Sequence, residues 1–463
     1  MEEWWPKRES YDFREGIRSY PSVAPGSYAA KAPYIDHGTG IIDKQRYVDP
    51  AESAREWEKL WKKIWNMAGC ASDIPERGDW FKYDLGKESF VIVRGDDDKV
   101  RAFYNVCPHR GNQIARSDFG KVNDCFRCAF HGWQFDKDGS LLAIKEEETF
   151  RPEVIADRPG LTEVRCETWG NFVFINMDDN TEPLIDFLGV IPEHLAAYNL
   201  DDFRVFEDVE YVFEGNWKTT IDAFLEFYHA DQIHPELADV METYWCQYDL
   251  YDRGVSRMIL PLGYAPDKLP DTKTVNPTQR LMLEGWEGDP KEWEHLTGAD
   301  YKQAMIEVKR RLAKRVGWDN FDKMEDDQIT DDWNYHIFPN VTFNLYPDGN
   351  YVQIFRPHPT DHHKCIWRAI TMIPIPKKGN FRPVAIADLG QGRVGELWDG
   401  SVRPEIKRAT LPVELGHVLA QDAELVPPVH RGIQSDSFKG FRLSEQEIRI
   451  RHYLNEIDRY LET

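Results

Sequence analysis

Two segments of this chain, CPHRG at 107–111 and CAFHGW at 128–133, each put a cysteine and a histidine on one short loop: Cys107 with His109, and Cys128 with His131. Four such donors share a site only if both loops lie at the same end of a scaffold. Two thiolates and two imidazoles suit either a tetrahedral zinc ion or a two-iron, two-sulfide cluster with mixed ligands. In the cluster one iron takes both cysteines and the other both histidines, which two loops offering one of each satisfy. Gly111 and Gly132 suit loops that bring backbone N–H groups close to sulfur. Cys125 reads as a structural thiol, because the four-donor set is complete without it.

Composition narrows the setting. Only three of the seven cysteines cluster, so a chain of 463 residues has no disulfide scaffold and the cluster reads as a metal site. With 57 Lys+Arg against 80 Asp+Glu the net charge is −23, which excludes a nucleic-acid binder, because phosphate contacts need a concentrated basic excess. An aromatic content of 13%, with 16 Trp, excludes a disordered acidic chain. No long uncharged apolar run is present, so no spanning helix is expected. The start, MEEWWPKRES, has no apolar signal region, which predicts a cytoplasmic protein.

Residues 1 to about 45 lack a period and read as an arm laid on something larger. Asp49-Pro50 opens a helix in which Trp57, Leu60, Trp61, Ile64 and Trp65 recur at three- and four-residue spacing. Short β-rich runs then follow from Trp80 to Asn176, and Asp178-Asp179-Asn180 marks a boundary. In the second unit, Val209, Tyr211 and Phe213 alternate as in a half-buried strand, and Trp217 to Ile233 reads as one helix. Residues 265–332 are helical in parts, and a β-like block spans Ile337 to Ile375. Ser444 and Glu447 form a capping-box pattern before a helix whose apolar face carries Ile450, Tyr453, Leu454, Ile457 and Leu461.

A second candidate site lies in NWKTTIDAFLEFYHADQIHPEL, residues 216–237. Glu226 and His229 are three apart and share a helical face. His229 and His234 are five apart, which on an ideal helix turns them about 140° from each other. A shared metal therefore needs a break between them, and Pro235 favours one nearby. Two histidines and a carboxylate with open positions form the usual site for non-heme iron(II) that activates dioxygen. Spacing alone leaves open one buried and one surface histidine, and finds no third ligand among 80 acidic residues.

With both motifs on one chain, the sequence resembles the catalytic α subunit of Rieske non-heme iron aromatic-ring-hydroxylating oxygenases along nearly its whole length. The resemblance implies an α+β fold: an all-β Rieske iron-sulfur domain plus a helix-grip (START-like) catalytic domain with an antiparallel β-sheet. It divides the chain into an arm at 1–45, a helix and Rieske domain at 46–178, and a catalytic domain at 179–463. It implies one [2Fe-2S] cluster on Cys107, His109, Cys128 and His131, and one Fe(II) on His229, His234 and a late carboxylate. The segment Gln421-Asp422-Ala423-Glu424 followed by Arg431-Gly432-Ile433-Gln434-Ser435 points to Asp422 as that carboxylate, with Glu424 and Asp436 as weaker candidates that read rather as solvated surface acids. Glu226 is implied to bridge His131 of one subunit to His229 of its neighbour in a homotrimer, with or without a separate β subunit. Asp222 is implied among the catalytic residues, although many members carry Asn there, as many carry Gln at the position of His430.

The implied activity is hydroxylation or dihydroxylation, with O2, of an aromatic or other hydrophobic substrate. The alternatives are a monooxygenase or demethylase on the same sites, and an electron-transfer protein without oxygen chemistry. No Gly-rich nucleotide loop is evident, so NAD(P)H is expected to act indirectly through a separate flavin reductase, a ferredoxin, or both. An acidic ferredoxin needs a basic patch near the cluster, because overall charge repels it. Of the remaining features, His362 and His363 read as a solvated loop. KRRLAKR at 309–315 reads as the exposed face of an amphipathic helix, with docking of an acidic ferredoxin as the alternative, and the resemblance makes Phe224, Leu225, Ile233, Phe343 and Leu345 candidates for a substrate pocket.

Overall fold

The computed structural model describes residues 12, 14, 27–235, 237, 240–241, 244–263, 275, 277–293, 295–296, 300–380 and 398–463. The arm expected at 1–45 therefore lies largely outside the described residues. Its final stretch runs over the larger domain: Lys31 Nζ donates to Tyr248 O at 2.6 Å and Ala32 N to Asp249 Oδ1 at 2.7 Å.

The first unit is all-β. Its strands are β1 (Asn66–Cys70), β2 (Asp79–Leu85), β3 (Glu88–Arg94), β4 (Val100–Tyr104), β5 (Phe119–Lys121), β6 (Phe126–Arg127), β7 (Gln134–Phe135), β8 (Leu141–Ala143), β9 (Glu163–Trp169) and β10 (Phe172–Asn176). Seven of them form one sheet in the order β1-β10-β9-β4-β3-β2-β5, and β6-β7-β8 form a small second sheet. Strand alternation splits the side chains of β3 between two cores. Phe90 and Ile92 join the main core shared with the second unit, whereas Val91 and Val93 join a smaller one with Trp80, Phe103, Cys107 and Cys128. The Cys/His loops thus stand on a hydrophobic base of their own.

The second unit carries β11 (Phe203–Phe213), β12 (Gln247–Leu250), β13 (Ser256–Leu260), β14 (Asp332–Ile337), β15 (Val341–Tyr346), β16 (Gly349–Pro357), β17 (Cys365–Pro374) and β18 (Lys407–Ala409). They form one eight-stranded sheet in the order β12-β13-β14-β15-β16-β17-β11-β18. Every pair is antiparallel except β11 with β18. Two long helices near the end of the chain, His417–Gln434 and Ile448–Glu462, pack with it, the second after the expected Ser444/Glu447 capping box. A buried ion pair ties the two halves together: Lys218 Nζ donates to Glu56, which also accepts from Trp217 Nε1 at 3.1 Å.

Several expectations are corrected by packing. Trp217 to Ile233 is not one helix: a helix ends at Asp222, an irregular turn follows, and a second covers Ala230–Ile233. Lys309 is not on an exposed face but buried, bonded to Asp348 Oδ1 at 2.9 Å, while Arg310, Arg311 and Arg315 pair with Asp326, Glu292 and Glu287. His362 and His363 are half-buried rather than solvated: His362 Nε2 sits 3.1 Å from Val48 O, and His363 Nδ1 lies 2.9 Å from His430 Nε2. Phe343 and Leu345 face away from the cavity described below; Phe343 packs edge-on against Phe172 of the first unit at 5.1 Å.

Candidate metal centres

The two Cys/His loops are built alike. Gly111 N donates to Cys107 O at 2.9 Å and Gly132 N to Cys128 O at 3.0 Å, and Cys107 N and Cys128 N in turn donate to Asn112 O and Trp133 O. Both glycines have φ +76°, a left-handed conformation that disfavours a side chain, and this turn brings backbone N–H groups round to the sulfur. Burial raises both thiols. At Cys128 the N–H groups of Phe130 and His131, with Asn112 Nδ2 at 3.6 Å, outweigh it and hold the thiol below its ordinary value. Cys107 stays above its ordinary value, chiefly from burial.

The imidazoles of His109 and His131 meet edge to face with centroids 4.6 Å apart, and His109 stacks on Trp133 at 4.9 Å. Both Nδ1 atoms are buried without a hydrogen-bond partner among the described residues, the condition of a nitrogen waiting for a metal. The spacing also separates the two chemistries left open by the sequence. A tetrahedral zinc would hold its four donors about 3.5 Å apart. No three of the donor atoms of Cys107, His109, Cys128 and His131 lie within 4.8 Å of one another. Two sulfurs on one side and two nitrogens on the other fit two irons rather than one ion.

One set of three does meet that distance among the described residues: His229, His234 and Asp422. The break foreseen between the histidines is real. His229 caps the start of the short helix Ala230–Ile233, and His234 leaves its end with φ −120° and ψ 68°. This swing brings the rings to 5.4 Å at an angle of 73°. Asp422, on the helix His417–Gln434, places Oδ1 3.3 Å from His234 Nε2 and 3.7 Å from His229 Nε2. The other nitrogen of each ring is already held. Glu226 Oε1 lies 2.5 Å from His229 Nδ1, and Gln421 Oε1 lies 2.6 Å from His234 Nδ1. Acceptors there keep the proton on Nδ1 and present a bare Nε2 to the metal. Burial lowers His229, but the Glu226 and Asp422 carboxylates outweigh it and raise the ring to about 9. Two imidazoles and one carboxylate that leave one side open match the iron(II) donor set.

Beside these donors opens a cavity of about 770 Å³, counted with its mouth. Phe224, Phe227, Leu237 and Met241 form one wall, and the sheet forms the other with Met258 and Leu260 of β13, Asp332 and Asn334 of β14, Asn344 and Tyr346 of β15, and Tyr351 and Gln353 of β16. Each strand contributes residues two apart, hence one face of the pleat. Of the pocket candidates read from sequence, Phe224 lines this space; Leu225, Ile233, Phe343 and Leu345 do not. Asp222 is likewise absent from the lining: it accepts from Tyr47 Oη at 2.8 Å and Tyr453 Oη at 2.6 Å, behind the site. Glu424 and Asp436 are exposed, as expected. Sequence reasoning gave no role to Gln421 or the polar strand residues; the alternation D-W-N and N-L-Y was the available signal.

A Rieske-type cluster base and a two-histidine, one-carboxylate iron site on one chain define the class of a Rieske oxygenase. Comparison with known proteins agrees: residues 64–156 match the Rieske [2Fe-2S] domain, and residues 200–463 match the ring hydroxylating alpha subunit catalytic domain. The chain belongs to the family of ring hydroxylating alpha subunits, with its [2Fe-2S] cluster and non-heme iron.

It is 31% identical over 207 residues to the glycine betaine monooxygenase oxygenase subunit of Chromohalobacter salexigens, covering 45% of this chain and 46% of that one. It is 33% identical over 208 residues to the carnitine monooxygenase oxygenase subunit of Escherichia coli K12, covering 44% and 55%. The 2-aminobenzenesulfonate 2,3-dioxygenase alpha subunit of an Alcaligenes species is 32% identical over 223 residues, covering 47% and 56%. The matched region thus spans about half the length of these curated relatives. The fold is that of a quaternary ammonium Rieske monooxygenase (TM-score 0.64, 20% identity, 91% of this chain and 95% of the other). It is also that of naphthalene 1,2-dioxygenase from Rhodococcus (TM-score 0.61, 17% identity, 91% and 94%). Among the described residues no helix is long and apolar enough to cross a membrane.

Proposed function

We propose that this chain is the terminal oxygenase of a multicomponent system that inserts one oxygen atom into a small polar substrate. In this reading Cys107 and Cys128 hold one iron of the cluster, His109 and His131 hold the other, and His229, His234 and Asp422 hold the mononuclear iron. The cluster supplies single electrons drawn from a separate reductase, and the mononuclear iron supplies dioxygen activation. The protein's own groups set the stage. Glu226 and Gln421 fix both ring tautomers, Phe224 and Phe227 exclude water from one side of the cavity, and the strand face orients the substrate.

One observation carries the choice of a polar substrate over the aromatic or other hydrophobic one first expected. The sheet side of the cavity presents Asp332, whose buried Oδ1 has no hydrogen-bond partner and would stay unsatisfied beside a hydrocarbon, along with Asn334, Asn344, Tyr346, Tyr351 and Gln353. The insertion of one oxygen atom is supported by the glycine betaine and carnitine monooxygenases among the relatives, which also favour a polar substrate.

Glu226 is proposed to carry electrons from His131 of a neighbouring subunit, in a homotrimer. Phe130 beside His131 and Tyr228 beside His229 are 55% and 59% exposed, large apolar side chains at both ends of that path. Turnover under 18O2 with a surrogate reductase tests the reaction. One labelled atom in the product and one in water is expected; two labelled atoms in the product would establish dihydroxylation instead.

A further inference from the structure

We propose that Asp332 is a specificity-determining residue and that the substrate carries an amine cation, whose charge it receives. The inference rests on the oxygenase reading of the cavity and narrows its substrate class.

Asp332 opens β14, is 5% exposed and lines the cavity together with Asn334, two residues on along the same face. Asn344 Nδ2 donates to Oδ2 at 2.8 Å across the β14/β15 pair, and the Tyr346 phenol lies beside the carboxyl. Oδ1 is buried with no hydrogen-bond partner, and among the described residues the carboxylate has no ion-pair partner. Three nearby cations are committed to other acids. Lys302 pairs with the adjacent Asp331 at 2.8 Å, Lys309 with Asp348 at 2.9 Å, and Arg257 with Asp249 at 2.7 Å. Arg449, whose field reaches Asp332, bonds Ser256 Oγ at 2.9 Å and Asn334 Oδ1 at 2.8 Å, leaves Nη2 buried without a partner, and forms no ion pair with Asp332 among the described residues.

A buried carboxyl with an unmatched acceptor is costly unless something that enters the cavity completes it. Burial pushes Asp332 up to about 7, so a cation placed against it gains by keeping it ionised. The rest of the wall suits the same guest. Tyr351, Phe224 and Phe227 offer aromatic surface, and Met241, Met258 and Leu260 offer apolar surface for the alkyl groups of a small ammonium. A purely anionic substrate would meet Asp332 with like charge.

The test is binding to the anaerobic holoenzyme by calorimetry, using two matched pairs: choline against 3,3-dimethyl-1-butanol, and 2-phenylethylammonium against 2-phenylethanol. At least one cation is expected to bind at least tenfold more tightly than its neutral counterpart, and Asp332→Asn to erase that preference while still binding the neutral compound. If no cation binds more tightly than its counterpart, or if the preference survives in Asp332→Asn, the assignment is overturned. The wild-type comparison stands even if the variant fails to fold. Because binding is read without turnover, a cation preference in a protein that never consumes oxygen would refute the oxygenase reading and leave Asp332 in place.

Discussion

The two metal centres are built in opposite ways. The cluster loops come from residues 107–133, stand on a small core of their own, and leave Phe130 exposed at the rim. The mononuclear site joins His229 and His234 to Asp422, almost two hundred positions later, and sits beside a cavity between helices and sheet. The difference follows from the work each does. An electron can arrive through a protein surface, so its site belongs near one and can be a local motif. Oxygen and substrate must be enclosed, and enclosure needs elements far apart in sequence.

The largest expected effect separates the two directly. Cys128→Ser should remove the cluster, cutting iron from about three to about one per chain and turnover by at least about a thousandfold, with the mononuclear iron retained. Loss of all iron in this variant would show that the centres are not independent.

A smaller effect concerns the path between them. Glu226→Ala should keep both centres occupied at saturating iron while turnover falls by about 10–100-fold, the usual cost of removing a group that orients a metal ligand. Normal turnover would remove Glu226 from the path.

The smallest effect lies behind the site. Burial, against the hydrogen bonds from Tyr453 and Tyr47, raises Asp222 from its ordinary 3.8 to about 7. An acid raised on folding binds its proton more tightly in the native state, so its contribution to stability declines as pH rises from about 4 to about 7. Asp222→Asn, which has no proton to lose, should therefore gain melting temperature relative to wild type between pH 5 and pH 7. Parallel profiles would contradict the buried, proton-holding role.

The same contrast explains what the sequence could reveal. The loops around Cys107 and Cys128 were legible because all four donors and both glycines sit within one short stretch. The break between His229 and His234 was legible as a requirement of five-residue spacing, although the run before it looked like a continuous helix; tertiary packing overrode that periodicity. Asp422 needed resemblance, because no local pattern links it to a helix two hundred residues earlier. The pocket failed by one residue of register: Phe343 and Leu345 fit an apolar cavity, but the pleat turns them to the core and presents Asn344 and Tyr346 instead. The basic run at 309–315 misled for a related reason, since the acids that neutralise it lie on other elements.

Two separate iron centres in one chain are tested most directly by counting iron and acid-labile sulfide in wild type and His229→Ala. Wild type should hold about three irons and two sulfides, and His229→Ala about two irons with both sulfides and an unchanged Rieske-type EPR signal. About two irons in wild type, unaltered by His229→Ala, would mean that the histidines and Asp422 hold no metal and that the chain only transfers electrons.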